Sequence, residues 1–236
     1  MADEFLTTRW SLVLAAAHGE GSGAAAAMEN LCRDVWRPLY AYARRWGCSQ
    51  QDAEDAVQGF IASLLSHQSL TRVGSEKGRF RSFLLGGMKH HLIDLADRNR
   101  AAKRGGGQAL ISLDATDAEQ SYLSLAAETD SPERAFDRVW ALDIMQRAKQ
   151  RLGEECQASG KAAVFQAFFQ DSSSQVAEDY AGLSERLNMS VTALRTLSMR
   201  LRRRWKELIR AELAQQVTSN DALDEELNCL RAALLD

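Results

Sequence analysis

The chain has 236 residues, 45% apolar and 26% charged, with only 2 Pro and 7% aromatic residues. That composition excludes a disordered or collagen-like chain and argues for helices over strands, and the length allows one large domain or two small ones. A net charge of -3 advertises no global attraction to nucleic acid, so the distribution of charge matters more than its sum.

Near the start, Leu12 to Ala17 is a short apolar stretch preceded by Asp3 and Glu4, shorter than most signal-peptide cores. It reads as a cytoplasmic helix, and no apolar run approaches the ~18 residues of a membrane span. Leu31, Val35, Leu39, Tyr42 and Trp46 recur at three- and four-residue steps and predict a helix that Gly47 ends. Ser49 caps the next helix, with Asp52 in its first turn. There Ala53, Ala56, Val57, Phe60, Ile61, Leu64 and Leu65 form one apolar stripe. Asp52, Asp55 and Gln58 stand off that stripe as a polar ridge.

A third helix is predicted from Phe80 to Arg100, with Phe83, Leu84, Met88, Leu92 and Leu95 inward and Arg81, Lys89, His90 and Arg98 outward. Residues 72–104 carry nine Lys/Arg against three Asp/Glu, whereas 111–137 carry seven acids against one Arg. Gly105-Gly106-Gly107 opens a linker over 105–130, with local order expected around Leu110, Ile111 and Leu113. Ser131-Pro132-Glu133 starts a helix that the pattern carries to about Leu152. Lys161 to Gln170 reads as another helix.

From Tyr180 to Trp205 the pattern is that of a helix-turn-helix. Ala181, Leu183 and Leu187 mark the first helix, Asn188 closes it in the left-handed conformation, and Ser190 caps the second. Leu194, Leu197 and Leu201 face inward, which assigns Arg195, Thr196, Ser198, Met199, Arg200 and Arg203 to the exposed side. That side suits base edges, and the Arg202-Arg203-Arg204 end suits phosphates. Ser184 and Asn188 stand where such motifs usually carry a small apolar residue and a Gly. Residues 195–210 hold seven Lys/Arg and one Glu, and 217–236 hold five acids and one Arg. The tail stripe Leu223, Leu227, Leu230, Leu234 predicts an amphipathic helix, which either packs on an apolar patch, meets a partner, or masks the Arg-rich surface.

Cys32, Cys48, Cys156 and Cys229 form no CxxC pair, and His18, His67, His90 and His91 lack metal-ligand spacing. No phosphate loop, GxSxG elbow, HExxH or dinucleotide-binding glycine set is present in the sequence. The expectation is a chain with no catalytic residues, no metal, no cofactor and no small-molecule substrate.

In order and spacing, these blocks resemble an extracytoplasmic-function (ECF) sigma factor of the sigma-70 family. DAEDAVQGFIASLL (52–65) is similar to region 2.2. GRFRSFLLGGMKHHLIDLADRNRAAKRGGG (78–107) is similar to regions 2.3 and 2.4, and YAGLSERLNMSVTALRTLSMRLRRRWKEL (180–208) to region 4. TTRWSLVLAA (7–16) and PLYAYARRWG (38–47) resemble a subgroup common in planctomycetes.

The resemblance implies an all-α fold of two small helical domains: region 2 over 1–104, the acidic linker 105–130, region 4 over 131–215, and a tail helix over 216–236. It implies docking on bacterial core RNA polymerase through Asp52, Asp55 and Gln58. It assigns Lys77, Arg79, Arg81, Lys89, His90 and Arg98 to the -10 element of promoter DNA, with Phe80 fitting either core packing or base stacking. It assigns Arg195, Thr196, Ser198, Met199, Arg200 and Arg203 to the -35 element. The linker then tracks the RNA exit path or is simply solvated. Gly59 replaces an acid common in the family, which leaves room for a charge supplied nearby, as by a phosphorylated Ser63. An anti-sigma factor or a regulatory kinase is a further partner the resemblance allows. The alternative from the residues alone is a stand-alone helix-turn-helix regulator, which uses only the C-terminal half.

Overall fold

Short-range capping chemistry sets most helix ends in the computed structural model, which describes residues 24–65, 80–101, 118–120, 122–123, 131–170, 180–217 and 219–235. Every regular element among them is helical: α1 (Ala24–Trp46), α2 (Gln50–Leu65), α3 (Phe80–Ala101), α4 (Pro132–Ala158), α5 (Ala162–Phe165), α6 (Tyr180–Leu187), α7 (Val191–Ala214) and α8 (Asn220–Leu235). Gly47, at φ 111°, ends α1, where the Cys48 N–H reaches back to the Ala43 carbonyl. Ser49 accepts from the Asp52 N–H at 3.2 Å and donates its hydroxyl to the Asp52 carboxylate at 2.7 Å. Ser131 and Ser190 cap α4 and α7 in the same way, through Arg134 N–H and Ala193 N–H.

Three elements depart from the sequence pattern, and the first is α4, which runs on to Ala158 rather than ending near Leu152. α1 begins at Ala24 rather than Leu31, because its alanine run has strong helix propensity but no apolar periodicity. The helix expected over Lys161 to Gln170 is α-helical only to Phe165 and continues as a π-helical turn, Gln166–Gln170. That turn carries Phe169, which stacks on Phe165 at 5.4 Å and meets the edge of Trp205 at 5.6 Å.

The chain divides into two compact units, residues 1–143 with 213–236, and residues 144–212. This differs from the boundaries expected at 131 and 215. The first turns of α4 and the whole tail group with the N-terminal half.

In the first unit α1, α2 and α3 pack against one another. Leu39, Tyr40, Val57, Phe60, Leu84 and Met88 are fully buried there. A Cβ on Gly87 would lie 2.8 Å from Phe60, so α2 and α3 approach as closely as only glycine allows. Phe80 packs against Trp140 at 6.5 Å, and Phe136 stacks on Trp140 at 5.4 Å, which settles Phe80 as a core residue. Such pairs add about 0.5–1.5 kcal/mol beyond area burial.

Part of the expected linker is ordered on this unit. Ala118 is buried, Glu119 binds Tyr40 and Arg44, and Tyr122 packs on Ala41, Ala135 and Val139. Leu110, Ile111 and Leu113 lie outside the described residues.

In the second unit, Leu183 and Leu194 join Ala167 in a core flanked by Phe168, Tyr180, Leu187 and Met189. Glu212, buried, accepts from Arg151 at 2.8 Å and Arg147 at 3.4 Å. No helix among the described residues is long and apolar enough to cross a membrane.

Candidate nucleic-acid interface

The turn between α6 and α7 is built by two residues that looked irregular in sequence. Asn188 adopts φ 49°, a conformation that its short side chain tolerates. Ser184 donates its hydroxyl to the Met189 carbonyl at 2.6 Å, so a polar side chain closes the turn where an apolar one was expected. The result is an eight-residue helix, a tight turn and a long second helix, as the sequence predicts.

α7 presents a cationic face. Arg195, Met199, Arg200 and Arg203 are exposed, and Met199 keeps 67% of its surface in solvent. Arg195, Met199, Arg202, Arg203, Lys206 and Arg210 line an open groove of about 620 Å³ together with Tyr180, Ser198 and Glu207. Five cations against one carboxylate make this surface attractive to a polyanion. Thr196 is half-buried and donates to the Thr192 carbonyl at 2.9 Å.

Ser198 is a correction. It is 2% exposed rather than on the outer side. It follows Leu194 by four residues and precedes Leu201 by three, so it shares their buried face, and the Tyr180 hydroxyl lies 3.4 Å from its Oγ. Tyr180, which the sequence reading passed over, also lies under the Arg195 guanidinium at 5.4 Å. Its signal was position alone, an aromatic at the first residue of α6. Arg204 is turned away from the cationic face by Glu155 at 2.8 and 2.9 Å, and these bonds, with Glu207, hold its charge more firmly than usual.

In the first unit, Lys89, His90 and Arg98 are exposed on α3, while Lys77 and Arg79 lie outside the described residues. Arg81 is the second correction. It was assigned to the outer face but is 9% exposed, bound by Asp137 of α4 and by Glu226 of α8, the latter at 3.1 Å. Burial opposes its charge, and the two carboxylates more than offset that, so the guanidinium stays protonated.

Asp52 and Asp55 are exposed on α2, and Gln58 is half-buried beside them. Gly59 follows, and a Cβ there would come within 3.2 Å of His91 Nε2. His91 thus occupies the space that a side chain at position 59 would need. Burial, then Arg98, hold the His91 imidazole below its ordinary pKa, with Asp94 opposing. Ser63 donates its hydroxyl to the Phe60 carbonyl at 2.8 Å, the usual back-bond of a helical serine.

Among the described residues no group of three His, Cys, Asp or Glu side chains is placed to hold a metal ion. Comparison with protein-family models, with curated proteins and with solved structures found no match to this chain.

Proposed function

We propose that this protein is a promoter-recognition subunit of bacterial RNA polymerase, of the ECF sigma type, acting in the cytoplasm. The observation that carries the reading is the α6–α7 pair, with its Asn188 turn and its face of Arg195, Met199, Arg202, Arg203 and Lys206. An α-helix of this width enters the major groove of duplex DNA, with side chains near its start meeting base edges and later cations meeting phosphates. In this reading α7 reads the -35 element.

The second unit alone would serve a stand-alone DNA-binding regulator equally well. The exposed Asp52/Asp55 ridge on α2 favours the sigma reading, since it offers an acidic docking edge on the other half of the chain. Lys89, His90 and Arg98 of α3 then meet the unpaired strand at -10. The protein itself carries out no reaction in this reading, and an anti-sigma factor or a kinase is a natural regulator.

Co-elution with purified core polymerase on a sizing column tests it. The wild-type chain should co-elute, and Asp52→Arg/Asp55→Arg should not. Duplex binding at two-fold half-sites with no polymerase association would favour the stand-alone regulator.

A further inference from the structure

Arg81 lies in the first turn of α3, in the stretch proposed to meet opened DNA, yet its guanidinium is committed to two carboxylates. Asp137 engages Nη1, and Glu226, 145 residues away in sequence, engages Nε at 3.1 Å. Glu226 is 3% exposed, and Leu223, one turn earlier on the same face of α8, is 2% exposed. Cys229 and Leu230 complete the contact beside Arg81 and Trp140. Beyond this point Leu234 and Leu235 of α8 are exposed.

Stability is a poor reason for this arrangement. Two buried charges and a half-buried one hold a site no better than apolar side chains of similar volume. Trp140 Nε1, in the same contact, is buried without a hydrogen-bond partner among the described residues. The guanidinium fork, however, accepts a phosphate as readily as a carboxylate. A phosphate at the Nε edge would take the place of Glu226 while Nη1 stays with Asp137.

We propose that α8 is a latch in which Glu226 stands in for a DNA phosphate at Arg81, and that single-stranded DNA displaces it. The inference rests on reading α3 as a DNA-contacting helix. It explains why an acid sits on the apolar face of an otherwise amphipathic tail. It also gives the free protein a closed state in which one cation of the DNA path is withheld.

The test uses full-length chains and a labelled thymidine oligonucleotide, with binding read by fluorescence anisotropy. Leu223→Asp undocks α8 while adding negative charge, so a gain in DNA affinity cannot come from bulk electrostatics. Glu226→Gln is the milder variant, for which folding is not at stake. Undocking is followed independently as faster thiol labelling of Cys229. Leu223→Asp should bind about 3- to 10-fold more tightly, with a salt slope steeper by about 0.7, as one added phosphate contact requires. Glu226→Gln should gain less, and Arg81→Ala should abolish both gains. If Arg81→Ala weakens binding in every background but Leu223→Asp gains nothing while Cys229 opens, the latch is overturned and the DNA reading of Arg81 stands. If Arg81→Ala changes binding in no background, the latch falls together with that reading.

Discussion

Arg44 of α1 grips Glu119 with two donors, Nε and Nη2, each 2.9 Å from a carboxylate oxygen. The Tyr40 hydroxyl donates to the same carboxylate at 2.5 Å, and the Tyr122 ring lies under the guanidinium at 5.3 Å. This pair ties Glu119 to α1 within the first unit.

Burial alone would raise the Glu119 pKa, but the hydrogen bonds from Arg44 and Tyr40 overcome it and leave the carboxyl below its usual value. A carboxyl depressed in the folded state adds stability that is present above its unfolded pKa and lost as pH falls through the folded one. Glu119→Gln should therefore lower the unfolding free energy by about 1–3 kcal/mol at pH 7. Urea titrations should show the gap between wild type and variant closing as pH falls below the ordinary glutamate range. A gap that stays constant to low pH would show that the charge is not what matters.

Adjacent glycines on α3 should respond in opposite directions. Gly87→Ala drives a Cβ into the Phe60 ring and should destabilise by about 1–3 kcal/mol. Gly86→Ala meets nothing within 4 Å and should stabilise by up to about 1 kcal/mol, the helix-propensity gain. Thermal unfolding of the two single variants, which differ by one position, checks both.

How much of this was legible in sequence depended on range. Gly47, Ser49, Ser131, Asn188 and Ser190 were readable because each acts within five residues, through a cap or a left-handed turn. Helical periodicity likewise gave α2, α3 and α7. It named faces but not partners, and there it failed. Arg81 was placed outside because it is charged, while its partner Glu226 lies 145 residues on. One signal was available: Glu226 shares the α8 face of Leu223 and Leu230, and an acid on an apolar stripe calls for a buried cation. Ser198 carried the same kind of signal, lying between Leu194 and Leu201 on the inner face of α7. The docking of Glu119 had no local signature, since only the folded α1 brings Tyr40 and Arg44 to one side.

On α7, Arg200 is exposed and Arg195 rests on Tyr180. Arg200→Ala should weaken binding to a promoter duplex and lower the salt slope by about 0.9 if its contact is to a phosphate. Core polymerase association should be unchanged. Equal loss of both activities would mean that α7 is not the reading helix.

Tyr180→Ala should cost about 0.5–1 kcal/mol of specific duplex affinity by freeing Arg195 from its ring, a loss of roughly two- to five-fold. Tyr180→Phe keeps the ring and should bind nearly as wild type. Competition against unrelated duplex separates the two effects, because a positioning role lowers the specific-to-nonspecific ratio and a bulk charge effect does not.

The most direct measurement is transcription itself. Core polymerase is supplied with genomic DNA from the source organism, with and without the protein, and the 5′ ends of the RNAs are sequenced. The account predicts a discrete set of new start sites that share two upstream elements at constant spacing, lost with Asp52→Arg/Asp55→Arg. The same starts with and without the protein, under conditions where it binds duplex DNA, would contradict it.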